Sequence, residues 1–160
     1  MKIIKYILLL TALLFSVNLA YTKSHPEITN DSAAGLKEDL AGKVIEINKK
    51  EFLNKIFNYE KNQDVWVYED SVPCIIFFYA NWCRPCKITD PILKELAIEF
   101  KGKIIIYKIN LDKERSLASI LRVRSVPTYI FIPAKGNPKY SMGAMRRESF
   151  VKIIKEFLLK

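Results

Sequence analysis

Trp82-Cys83-Arg84-Pro85-Cys86 sets two thiols apart by two residues, directly after an apolar run. That spacing closes a small disulfide ring, and its position predicts that the pair opens a helix. A helix N-terminus is the positive end of the peptide dipole and offers unbonded N–H groups, so it stabilises a thiolate. Cys83 is then the outer nucleophile, its pKa drawn below the ordinary value of about 8.5. Cys86, one turn in, resolves the mixed disulfide that Cys83 forms. Arg84 adds a positive charge beside the pair, favouring thiolate and a more oxidising couple. Pro85 limits backbone freedom, and Trp82 offers a flat apolar surface to a partner chain. A zinc or iron–sulfur centre needs about four ligands. Only Cys74 and His25 remain to supply them, and His25 falls in a polar segment, so no metal is expected. A structural staple is the other reading of the pair, and its place at a strand–helix junction behind an exposed tryptophan speaks against it.

The flanking segments supply what such a pair needs to be held in place. Cys74-Ile75-Ile76-Phe77-Phe78-Tyr79-Ala80 is apolar without alternation, which predicts a strand buried on both faces at the centre of an α/β sheet. The helix opened by the cysteines runs for about 15 residues, with Ile92, Leu93, Leu96, Ala97 and Phe100 inside and a kink at Pro91. Val44–Ile47 reads as a first strand and Lys49–Phe57 as a helix with Phe52, Leu53, Ile56 and Phe57 on one face. Ile104–Ile109 is a second buried strand. A helix from Leu111-Asp112 to about Leu121 follows, with Asp112 as its N-cap. Thr128–Ile132 and Lys139–Met142 are further strands. Gly143 then breaks the pattern before a last amphipathic helix, Arg147–Leu159, with Phe150, Ile153, Ile154 and Phe157 inside. The order βαβαβαββα predicts an α/β domain, a mixed central sheet flanked by helices on both faces. Residues 58–72 form a longer connection, rich in aromatics and without a clear period.

At 160 residues the chain has room for one domain and a leader or tail. The net charge is +9, which permits nucleic acid, an anionic membrane or acidic proteins as partners. The lysines are scattered and interleaved with acids, and no basic arm, zinc-finger spacing or RNA-binding motif occurs, so nucleic acid is not expected. Residues 1–20 have the layout of a secretory signal: Lys2 and Lys5, then the apolar run Tyr6–Val17, then Asn18-Leu19-Ala20. An uncleaved membrane anchor is the alternative, though the run is short and diluted by Thr11 and Ser16. Cleavage after Ala20 or a few residues later are both open. Residues 21–42 read as a polar tether, and residues 43–160 as the folded domain. Outside the cytosol a cysteine pair is either a staple or a working couple. Cys74 lies nine residues before Cys83. At about 3.3 Å per strand residue it is out of disulfide reach, which predicts a buried, inert thiol.

Trp82-Cys83-Arg84-Pro85-Cys86-Lys87, followed by Pro91-Ile92-Leu93, resembles the thioredoxin active site and its kinked helix. Lys108-Ile109-Asn110-Leu111-Asp112, Val126-Pro127-Thr128 and Gly143-Ala144 continue the likeness across residues 44–160 in order. The long connection ending in Asp70-Ser71-Val72-Pro73-Cys74 is similar to exported thioredoxins of the Bacteroidetes type. The resemblance implies the thioredoxin fold and a cis Val126–Pro127 bond packed against the cysteines. It also implies that the backbone of Val126 pairs with an extended substrate segment. Arg124 lies close by and, with Arg84, favours acidic partner surfaces, or is an ordinary surface charge. Two departures bear on mechanism. Arg84 stands where the family usually has glycine, and Phe77 stands where it buries an aspartate that moves the proton of the second cysteine. Asp90, one turn beyond Cys86 on the same helix face, is a candidate replacement.

The resulting expectation is a monomeric thiol–disulfide oxidoreductase, periplasmic or secreted, acting on disulfide-bonded substrate proteins without a cofactor. A membrane thiol-carrying transporter or another redox partner would supply its electrons. A net disulfide-forming oxidant, favoured by Arg84 and the missing acid, is a second reading. A non-catalytic chaperone or binding module using the Val126-Pro127 groove is a third.

Overall fold

The computed structural model describes residues 42–160; residues 1–41, where a leader and most of a polar tether are expected, lie outside them. The unalternated apolar run becomes β2 (Cys74–Tyr79), at the centre of a five-stranded sheet. Parallel to it runs β3 (Ile105–Asn110), which in turn carries β1 (Val44–Glu46) on its outer edge. On the other side β4 (Thr128–Ile132) pairs antiparallel with β2, and β5 (Lys139–Met142) antiparallel with β4. The sheet is thus mixed, in the order β1-β3-β2-β4-β5. Its helices are α1 (Lys49–Lys55), α2 (Arg84–Glu99), α3 (Arg115–Ile120) and α4 (Arg147–Ile153).

Successive residues of β2 feed two separate cores, because a strand sends alternate side chains to opposite faces. Ile75 and Phe77 join Leu93, Leu96 and Phe150 on one side. Cys74, Ile76 and Phe78 join Phe52, Leu117 and Ile130 on the other. Each such fully buried side chain contributes about 1.5–3 kcal/mol, so β2 is held from both sides while its C-terminal end stays free to present the turn at Ala80. The aromatic connection closes the second core: Trp66 packs on Phe57 at 4.4 Å between ring centroids, and the Tyr68 hydroxyl donates to the Val72 carbonyl.

Three details differ from expectation, each for a visible reason. Helix α1 stops at Lys55 rather than Phe57, and begins with a capping box in which Asn48 and Glu51 exchange side chain–backbone hydrogen bonds. Asp112 does not cap α3, whose N-cap is Glu114 without a side-chain bond; the Asp112 carboxylate instead accepts from the Trp82 indole. The last helix leaves α geometry after Ile153 for a π-turn, Ile154–Leu158, closed by the Leu159 N–H to Ile154 carbonyl bond at 3.0 Å. The wider turn adds one residue to the period. Leu158 is therefore buried as well, while Phe157 packs half-buried against the same core with its ring under the Lys139 ammonium at 4.0 Å.

Cys74 is fully buried, beside Ile105 and Ile132 in the sheet register, and is free of any disulfide. Burial pushes its thiol from 9.0 up to about 12. The unfolded chain gives up this proton near 9 and the folded chain only near 12. The stabilisation is therefore complete below about pH 9 and is lost as pH rises toward 12. Denaturant unfolding across a pH series should show that decline. Tyr68 and Tyr107, also pushed up by burial, add losses above about pH 10, so the decisive comparison is Cys74→Ala, which flattens the slope between pH 9 and 10. An identical slope in that variant excludes the Cys74 contribution.

Candidate functional site

Strand β2 ends at Tyr79, and the chain turns through Ala80, Asn81 and Trp82 into α2. Cys83 is the N-cap of that helix, in extended geometry, and its N–H bonds the Ala80 carbonyl at 3.1 Å. Arg84 and Pro85 form the start of the helix, where a missing proline N–H leaves no intrahelical bond unmade. Cys83 and Cys86 are joined in a disulfide with 5.3 Å between Cα atoms, and the Cys86 N–H donates to Cys83 Sγ at 3.2 Å. In this oxidised form both cysteines are buried alike, at 3% and 2% exposure. Position on the helix, rather than exposure, distinguishes them: only Cys83 Sγ sits at the helix mouth and accepts a backbone N–H.

Three walls surround the disulfide. Trp82 is 67% exposed and is steered by its indole N–H, which donates to Asp112 Oδ1 at 3.2 Å. The Asp112 N–H in turn donates to the buried Asn110 side chain at 2.9 Å. From the opposite side comes the Val126–Pro127 turn, whose peptide bond is cis. The Pro127 carbonyl accepts from the Gly143 N–H at 2.8 Å, and the Thr128 hydroxyl bonds the Ser125 carbonyl at 2.7 Å, fixing the turn against β5 and its own loop. Gly143 has φ 86°, a conformation that glycine adopts without strain. Val126 is half-buried and packs on the core that contains Cys83 and Cys86. Arg84 and Pro85 face solvent.

The third wall is the floor. Phe77, 1% exposed, is stacked between Tyr79 at 5.7 Å and Tyr129 at 5.5 Å. The Tyr129 hydroxyl donates to Thr89, whose own hydroxyl donates to the Pro85 carbonyl one turn back, so the aromatic layer is tied to the first turns of α2. Between floor and helix an open cleft of about 420 Å³ is lined by Phe77, Tyr79, Cys86, Lys87 and Asp90, among others. Asp90 thus shares a cleft with Cys86. Its carboxylate lies 2.6 Å from Lys94 Nζ and 4.0 Å from Lys108 Nζ. Lys108 also stands over the Tyr79 ring at 5.1 Å.

This arrangement matches known proteins over the whole domain. The family model for thioredoxin matches residues 43–156. The chain belongs to the thioredoxin family. A thioredoxin of Borreliella burgdorferi is 42% identical over 114 residues, covering 71% of this chain and 97% of that one. A thioredoxin of Chlorobaculum thiosulfatiphilum is 30% identical over 118 residues, covering 74% and 99%. Among solved structures, spinach chloroplast thioredoxin f superposes with a TM-score of 0.61 at 25% identity, covering 76% of this chain and 92% of that one. Chloroplastic thioredoxin z gives 0.61 at 23% identity, covering 71% and 93%, which supports the fold. The domain is a thiol–disulfide oxidoreductase, with a disulfide-forming Cys83–Cys86 pair at its helix mouth.

Cys83, Cys86, Trp82, Val126 and Pro127 are all brought to one end of the sheet of this thioredoxin-family domain, and Asp90 lies behind Cys86. Sequence reasoning missed Asp112 as the partner of Trp82, and Thr89 as the link between α2 and Tyr129. Thirty residues separate Trp82 from Asp112, and no local pattern marks such a pair.

Proposed function

We propose that the domain reduces disulfides of substrate proteins outside the cytoplasm. Cys83 as thiolate attacks a substrate disulfide, forming a mixed disulfide and expelling one substrate thiolate. Cys86 then attacks Cys83 Sγ, closing the Cys83–Cys86 disulfide and releasing the second substrate thiol, so that two electrons pass to the substrate. The observation that carries this reading is Cys83 Sγ at the N-cap of α2, accepting the Cys86 N–H. Helix dipole and N–H donation both favour a thiolate there. Val126 supports it: its backbone N–H and C=O take no partner among the described residues, which suits them to pair with an extended substrate chain. Trp82 supplies an exposed apolar face beside it, and Arg84 and Pro85 tune the couple from the first turn of α2.

The leader at residues 1–20 supports export, and the 58–72 connection supports a place among exported thioredoxins of the Bacteroidetes type. A membrane thiol-carrying transporter is the matching electron donor. N-terminal sequencing of the protein from the non-cytoplasmic fraction should begin after Ala20 or a few residues later; a chain beginning at Met1 there favours an anchor. Glutathione equilibration of the Cys83–Cys86 pair decides direction. A potential near the roughly −270 mV of thioredoxin itself supports a reductant, and one near about −120 mV overturns it in favour of a disulfide-forming oxidant.

Asp90 is proposed as the group that takes the Cys86 proton. Resolution needs the Cys86 thiolate, Cys86 is buried, and Asp90 lines the same cleft one helical turn away. Asp90→Asn should slow the resolving step by about tenfold and change its pH profile. An unchanged profile, read by rapid-quench trapping of the mixed disulfide, rejects Asp90 and leaves it an ion-pair partner of Lys94.

A further inference from the structure

We propose that a cleft between α3 and the loop leading to Val126 docks an acidic segment of the substrate protein, through Arg115, Arg122 and Arg124. The inference deepens the reading of this domain as an enzyme of protein disulfides, and rests on it. The three arginines rim an open cleft of about 350 Å³ whose floor is apolar, made by Leu111, Ala118 and Val123. All three are exposed, and among the described residues none has a carboxylate within 4.0 Å. Six other cations, Lys49, Lys55, Lys94, Lys108, Lys113 and Arg147, meet acids; what sets the three arginines apart is that they rim one cleft.

The cleft is also placed along the path of a bound chain. At one end Leu111 adjoins Asp112, which holds Trp82; at the other Arg124 stands two residues before Val126. A segment paired with the Val126 backbone lies next to Arg124 on this rim, and the planar guanidinium forks match carboxylates. Arg122 supplies an independent observation. It ends α3 in a double-bonded turn, with its own N–H on Ser119 O at 3.0 Å and the Val123 N–H on Ala118 O at 2.8 Å. That turn puts Arg122 at φ 55°, a left-handed position that glycine ordinarily fills. The chain thus carries a guanidinium at a site where glycine would sit more comfortably, as expected where stability is traded for recognition.

The test uses two peptides with the same central disulfide, one flanked by glutamates and aspartates, the other by glutamines and asparagines. NMR titration of the full chain gives their affinities, and turnover is followed in parallel. At about 10 mM salt the acidic peptide should bind about tenfold tighter, and the preference should fade near 0.5 M, where screening shortens to a few ångströms. Arg115→Gln/Arg122→Gly/Arg124→Gln should bring the two affinities together. Arg122→Gly alone should lower the preference while raising the melting temperature, and Arg122→Lys should retain most of it. An acidic preference that survives the triple change overturns the proposal. So does anionic-vesicle binding lost in the triple variant with peptide affinities untouched, which would assign the cleft to a membrane. Peptides that bind with this preference and are never reduced uphold the docking site and refute the redox reading instead.

Discussion

Cys83→Ser should lower disulfide reduction by about 10⁴-fold or more, because a serine hydroxyl is scarcely ionised where a thiolate is needed. The expected phenotype of Cys86→Ser differs in kind. The first attack proceeds, the resolving thiol is missing, and the domain accumulates as a mixed disulfide with its substrate. Non-reducing electrophoresis and intact mass should show that adduct for Cys86→Ser and none for Cys83→Ser. The asymmetry follows from geometry: Cys83 is at the mouth of α2 and Cys86 faces the inner cleft with Asp90. Cys74 offers no substitute for either, being buried in the opposite core with a thiol held protonated. An adduct that forms on Cys86 in Cys83→Ser would reverse the assignment. Full biological activity in Cys83→Ser/Cys86→Ser would instead make the domain a binding module.

How much of this was legible in the residues depended on the range of the interaction. Cys74–Tyr79 reads as a central strand because burial on both faces removes polar alternation, and the structure places it between β3 and β4. The helix after Cys83 reads equally well, its periodicity being local. Asn48 and Glu51 also carry a local capping-box signature, three residues apart at the start of α1. Asp112 misled because its local fitness as an N-cap competes with a partner thirty positions away, and the indole won. The π-turn at Ile154–Leu158 adds Leu158 to the core beside the half-buried Phe157, which an ideal 3.6-residue period does not foresee. The arginine cleft joins the first turn of α3 to the loop beyond its end, and only the left-handed turn at Arg122 folds the two together.

Phe77 forms the floor of the cleft beside Cys86, and its replacement should have the largest effect on stability. Phe77→Ala removes a ring stacked against both Tyr79 and Tyr129 at 1% exposure. Such truncations cost about 3–5 kcal/mol, which at roughly 4 °C per kcal/mol in a domain of this size lowers the melting temperature by about 15 °C. Phe77→Asp places an acid beneath Cys86, yet here it should be worse than Phe77→Ala at pH 8. The new carboxylate would enter an aromatic layer and share the cleft with Asp90, against the attraction of Lys108, its register neighbour on β3. Burial in that layer raises the folded-state pKa of the new group. Its stability is then retained below the unfolded value of about 4 and is lost as pH rises through the folded value. Thermal unfolding at pH 4 and pH 8 should therefore separate the variants: Phe77→Asp loses more on going to pH 8 than Phe77→Ala does. Equal losses would mean that Lys108 fully compensates a carboxylate at this position. The aromatic floor would then be no barrier to an acid beneath Cys86, and the case for Asp90 as the replacement would weaken with it.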